Sequence, residues 1–130
     1  MATEFQVILN DIPGSLARLG GVLGDAGVNI EAILGLSRDG KGVVHFIPRD
    51  AAMAAHALEA ARIAYTQRDV VIVRVLDEPG TLGDVALVMS KANINIDSVY
   101  LTTRGDVALG VDDLTGAIQV AGGMAVMSLE

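Results

Sequence analysis

Asp11-Ile12-Pro13-Gly14-Ser15-Leu16 and Asp77-Glu78-Pro79-Gly80-Thr81-Leu82 stand 66 residues apart in a chain of 130. The correspondence continues downstream. At the same shift Ala26 falls on Ala92, Asn29-Ile30 on Asn95-Ile96, and Glu31 on Asp97. A fixed offset of about half the chain is the signature of one structural unit used twice.

Working outward from these two stretches, each copy reads in the same order. Phe5, Val7 and Leu9 alternate with Gln6 and Ile8, and Val71, Val73 and Val75 alternate with Ile72 and Arg74, the period of a strand. Pro-Gly then opens a helix, where the missing proline N–H costs nothing. Leu16, Leu19, Leu23 and Ala26 make one face of the first helix, and Leu82, Val85, Met89 and Ala92 the matching face of the second. Gly27 and Asn93 suit the ends of these helices.

Two strands follow, predicted over 28–37 and 42–48 around Arg38-Asp39-Gly40-Lys41, and over 94–103 and 107–111 around Arg104-Gly105-Asp106. An Ala-rich helix is predicted over 50–63, started by Asp50 or Arg49, with a counterpart over 112–121. Short strands at 65–67 and 124–129 close the copies. The expected fold is α+β: two tandem ferredoxin-like βαββαβ domains, 1–68 and 69–130, each an antiparallel sheet with helices on one face. No linker is expected between them, since the last strand of the first copy runs into the first strand of the second through 65–76.

Composition narrows the function. The chain is 52% hydrophobic and 3% aromatic, with a mean hydropathy of +0.50. Units of ~60 residues bury a small share of their surface, so exposed sheet edges and apolar helix faces point to a homodimer. The net charge is −7, and the nine basic residues form no run; a nucleic-acid partner would require a positive stripe. The absence of cysteine excludes disulfides and thiolate zinc sites. Met1-Ala2-Thr3-Glu4 has neither the charged nor the apolar region of a secretory leader, and no apolar run reaches the ~20 residues of a membrane helix. A cytoplasmic location and no membrane partner are expected.

The pattern Asp-x-Pro-Gly-x-Leu, a helix, and then Val/Ile-Asn-Ile opening a strand resembles the ACT domain, once per copy and over nearly the whole chain. That family comprises regulatory βαββαβ modules that bind amino acids, often at the interface between paired ACT domains. The resemblance implies that Asp11 and Asp77 contact a ligand's amino group and that Asn29 and Asn95 also touch the ligand. Serine-binding members carry a histidine two residues before the Asp position. Here Leu9 and Val75 stand there, so a serine-type site is not implied.

The chemistry of the residues agrees. A free amino acid is a zwitterion, needing an acceptor for its ammonium and donors for its carboxylate. A helix start offers unpaired N–H groups and partial positive charge, and an adjacent aspartate can hold the ammonium. The candidate ligand-binding residues are therefore Asp11, Ile12, Pro13, Gly14, Ser15, Leu16, Asn29 and Ile30 in the first copy. In the second they are Asp77, Glu78, Pro79, Gly80, Thr81, Leu82, Asn95 and Ile96. Against this stands the plain reading that Asp is also an ordinary helix-start residue.

Catalysis needs a positioned nucleophile, base or metal. His45 and His56 lie in different elements, neither is expected to have a ligand-spaced carboxylate partner, and no phosphate-binding loop is present. The expectation is an amino-acid-binding regulator with no catalytic residue, no cofactor and no metal, which signals to a partner protein. The alternative is a ligand-free assembly module or a regulatory subunit of an amino-acid-pathway enzyme.

Overall fold

The structure, a computed structural model, describes residues 2–129. It divides into two compact units, one of Thr3–Arg68 and one that runs from Asp69 onward and takes in Ala2.

In the first unit, β1 (Ala2–Asn10) leads to α1 (Ser15–Asp25), β2 (Ile30–Arg38), β3 (Lys41–Pro48) and α2 (Ala51–Ala60). The strands lie in the order β2-β3-β1, with β3 antiparallel to both neighbours. Alternation on β1 works as the sequence predicts: Phe5 and Val7 turn inward to meet Phe46 and Val44 of β3, and Leu19 and Leu23 of α1 close over them. The Phe5 and Phe46 rings stack at 5.3 Å between centroids, and the Tyr65 ring lies 5.3 Å from Phe5, tilted by 38°.

In the second unit, the end of β4 (Thr66–Val73) is followed by α3 (Thr81–Lys91), β5 (Ile96–Leu101), β6 (Val107–Val111), α4 (Leu114–Ala121) and β7 (Ala125–Val126). β4 pairs with β6 and β7, and β6 with β5, so the order is β7-β4-β6-β5 and every pairing is antiparallel. Val71, Val73, Val107 and Leu109 take the places of the aromatic core, beneath Val85 and Met89 of α3 and Ala117 of α4. The βαββαβ order repeats, which bears out the expected α+β, ferredoxin-like fold.

The helix ends follow local chemistry. Gly27 and Asn93 stand just past α1 and α3 at φ of 76° and 60°, the left-handed stop the sequence signals. Asp50 and Asp113 cap α2 and α4, accepting from the N–H of Met53 and Gly116.

Several expectations are corrected. Leu16 and Leu82, assigned to the buried helix faces, are 58% and 51% exposed; they sit in the first turn, before each helix reaches the sheet. Ala26 and Ala92 are exposed as well. The first copy's closing strand is part of the longer β4, which continues across the unit boundary, and β7 has two residues rather than six. The offset of 66 also fails beyond the hairpin. Gly35 pairs with Val44 and its repeat equivalent Leu101 with Val107, so eight residues separate the first of these pairs and five the second.

Phe46 is fully buried, so Phe46→Ala is expected to cost about 3–5 kcal/mol, read from urea unfolding. At the surface, the Tyr65 hydroxyl donates to Glu59 Oε1 at 2.7 Å. That hydrogen bond, then desolvation and the Glu59 charge, raises the phenol above its ordinary value of 10.0. The folded state thus favours neutral Tyr65. This contribution is complete below the unfolded pKa and disappears as pH climbs through the folded one. Glu59→Gln should move the Tyr65 titration, followed by phenolate absorbance, back toward ordinary tyrosine.

Candidate functional site

The loops from β1 to α1 and from β4 to α3 build two similar corners. Gly14 and Gly80 are the N-cap residues, at φ of 96° and 93°, a conformation glycine adopts without Cβ strain. Neither helix has a side-chain cap, in contrast to α2 and α4. The Ser15 and Thr81 N–H groups reach back to the carbonyls of Ile12 and Glu78 at 3.3 and 3.4 Å, and no side chain caps the other N–H groups of the first turn. In the second corner, the Thr81 hydroxyl lies 2.8 Å from the carbonyl of Leu76 and 3.1 Å from that of Glu78, bracing the loop from within.

A cleft lies at each corner. In the first unit it has a volume of about 230 Å³ and is bordered by Asp11, Ile12, Ser15 and Leu16 from the loop and helix, with Gly35, Ser37 and Gly42 across from them. The Ser37 hydroxyl donates to Asp11 Oδ2 at 2.8 Å, occupying part of that carboxylate. In the second unit the cleft measures about 690 Å³. Asp77, Glu78, Gly80, Thr81 and Leu82 border it on one side and Val99, Leu101, Arg104 and Val107 on the other. Ligand pockets typically span ~300–1,000 Å³, which includes the second cleft and leaves the first below the range.

The structure thus gathers Asp11, Ile12, Ser15 and Leu16 at one corner and Asp77, Glu78, Gly80, Thr81 and Leu82 at the other, with Pro13, Gly14 and Pro79 in the same loops. Asn29, Ile30, Asn95 and Ile96 go elsewhere. Ile30 opens β2, whereas Ser37, which touches Asp11, lies at the far end of that strand. Seven residues at ~3.3 Å each separate them by about 23 Å. Ile96 opens β5 in the same way, with Leu101 at the cleft end. Within one repeat the asparagines and the acidic corner occupy opposite ends of the sheet.

At that opposite end, Asn29 donates its amide to Glu31 Oε1 at 3.1 Å, and Arg49 Nε reaches the same oxygen at 2.6 Å. Glu31 is 1% exposed, so Arg49 neutralises a buried charge. In the second unit Asp112 takes the place of Arg49: its N–H donates to the Asn95 carbonyl as that of Arg49 does to Asn29. Its carboxylate accepts from the Asn95 N–H at 3.0 Å.

Sequence reasoning missed two features. His45 does have a carboxylate partner, Glu4 Oε1 at 2.5 Å, with Arg68 3.6 Å from the other Glu4 oxygen. Gln6 pairs with His45, so Glu4 is its diagonal neighbour on the sheet face away from Phe5, a relation only the strand register creates. The contribution of Val99 and Leu101 to the apolar wall of the larger cleft was also missed. Setting the repeats side by side would have exposed it, since Leu101 stands where the first repeat has Gly35. Among the described residues no cluster of three metal-ligating side chains occurs, and no helix is long and apolar enough to cross a membrane.

A doubled βαββαβ unit with a glycine N-cap and a nearby aspartate at each first-helix start defines a class of paired ferredoxin-like domains. The family profile of the ACT domain matches residues 3–63 and again 70–123, and the chain belongs to that family. Among solved structures, a protein from Bacteroides thetaiotaomicron superimposes with a TM-score of 0.84 at 23% identity, over 92% of this chain and 85% of that one. The ligand-free regulatory subunit of aspartate kinase from Thermus thermophilus gives 0.68 at 20% identity, over 92% and 89%. The corresponding subunit from Thermus flavus gives 0.60 at 19% identity, over 92% and 89%. These likenesses are of fold. No curated protein sequence matches the chain.

Replacing Arg49 by leucine removes the guanidinium that donates to the buried Glu31 carboxylate. Arg49→Leu is expected to destabilise the chain by about 2 kcal/mol in chemical denaturation, the scale of a charge-assisted hydrogen bond.

Proposed function

We propose that the protein is a regulator without catalytic activity that binds a free amino acid at the start of the first helix in an ACT domain. The observation that carries this reading is the cleft beside α3: an aspartate, a helix start with no side-chain cap and room for a small molecule stand together. The ammonium sits on Asp77 and the carboxylate on the first turn of α3. Pro79-Gly80 sets the corner and Thr81 braces it. The equivalent residues Asp11 to Leu16 form a smaller version. Asn29 and Asn95 take part only where another ACT domain brings them to such a corner, in keeping with a homodimer of two-domain chains divided near residue 68. Filling the cleft changes affinity for a protein partner by a coupling of ~1–3 kcal/mol.

A second reading makes the chain a regulatory or assembly subunit of an amino-acid-pathway enzyme. The similarity of its fold to aspartate kinase regulatory subunits favours it. The two readings are compatible when ligand and enzyme act on the same chain.

The test is a thermal-shift panel of the twenty amino acids. A ligand at 100 times its dissociation constant adds about 2.7 kcal/mol of stability, and a raised Tm with at least one of them is expected. A panel with no shift overturns the amino-acid reading and leaves the assembly role.

A further inference from the structure

The larger cleft is lined asymmetrically, and the asymmetry is absent from its counterpart. On the corner side are Asp77 and Glu78, and across from them stand Val99, Leu101 and Val107. Val99 and Leu101 belong to the edge strand β5, in register with the core residues Leu109 and Val107. They therefore point to the helix side of the sheet, yet they are 48% and 65% exposed. Leu82, in the first turn of α3, exposes its side chain into the same space.

In the first repeat the position of Leu101 is held by Gly35, and Ser37 stands two residues on, tied to Asp11. That wall offers little apolar surface, and its aspartate is already engaged. The longer first hairpin also carries its ladder to Arg38 and Lys41, whereas the second stops at Leu101 and Val107.

Resting on the amino-acid reading, we infer that the second repeat alone holds the ligand and that the ligand is an amino acid with an aliphatic or other apolar side chain. Its head lies between Asp77 and the start of α3, and its side chain covers Leu82, Val99 and Leu101. Exposed apolar surface on both sides of a cleft gains most from an apolar occupant. Arg104 is the only basic residue in the lining, and its guanidinium already donates to the Leu129 carbonyl at 2.8 Å. A lysine or arginine side chain extended along this wall would meet a like charge. An acidic one would add a third negative charge to a cleft that already holds Asp77 and Glu78.

Calorimetric titration of the full chain tests this with L-valine, L-leucine, L-isoleucine and L-phenylalanine against L-serine, L-aspartate and L-lysine. One member of the first group is expected to bind about tenfold tighter than any of the second, at one site per chain. Leu101→Thr keeps a β-forming residue on an exposed edge and should weaken that ligand about tenfold, with Val99→Thr as a second, independent reduction of the wall. Circular dichroism confirms that both variants fold. Tightest binding of a polar or charged amino acid, two equal sites per chain, or unchanged affinity in both folded variants would overturn the inference while the amino-acid reading stands. Binding by none of the twenty amino acids removes both.

Discussion

Each repeat depends on burying one face of a short antiparallel sheet beneath two helices. Near 60 residues there is little core to spare, and the inward row of each central strand supplies it: Phe5 and Val7 against Phe46 in one unit, Val71 and Val73 against Leu109 in the other. That demand fixes the strand order, because the central strands must carry the apolar alternation. It also determines what is left over. Side chains on the helix side of an edge strand, such as Val99 and Leu101, belong to the buried face by register and stay open because the helices seat on the inner strands. The cleft is therefore a by-product of the packing that makes the fold.

The corner supplies the polarity that this apolar space lacks. Two of the four helices are closed by aspartates that accept from their own first turns, and the other two begin at glycine with no side-chain cap. The aspartates nearest those open starts, Asp11 and Asp77, face clefts. The copies have diverged at both ends of the sheet. At one end Ser37 engages Asp11 and Gly35 replaces an apolar wall; at the other, a buried Glu31–Arg49 pair in the first unit gives way to Asp112 bonded to the backbone of Asn95.

Much of the fold was legible in the sequence, and the reasons are local. Period-two alternation placed the central strands, and Pro-Gly, Gly27 and Asn93 marked helix boundaries through backbone conformation alone. What escaped depended on contacts between distant residues. Leu16 and Leu82 have helical spacing with the core residues, but a first-turn side chain projects before its helix meets the sheet. The His45–Glu4 pair arises from strand register, and three residues lost from one hairpin broke the offset that had aligned everything before it. At the candidate site the acidic loop and helix start were legible as a local motif. The asparagines share the motif in sequence yet sit about a strand's length away, because the intervening helix carries the chain back to the other end of the sheet.

The two N-cap glycines carry a consequence for how such a chain can drift. A methyl group added at Gly14 or Gly80 would meet nothing within 4 Å, so no crowding holds glycine there. Only torsion does, at ~1–2 kcal/mol for an ordinary residue forced into the left-handed region. Mutation can therefore blunt either corner without dismantling the layers around it. In a duplicated chain, recognition can fade from one half while both halves go on folding, and architecture outlasts binding.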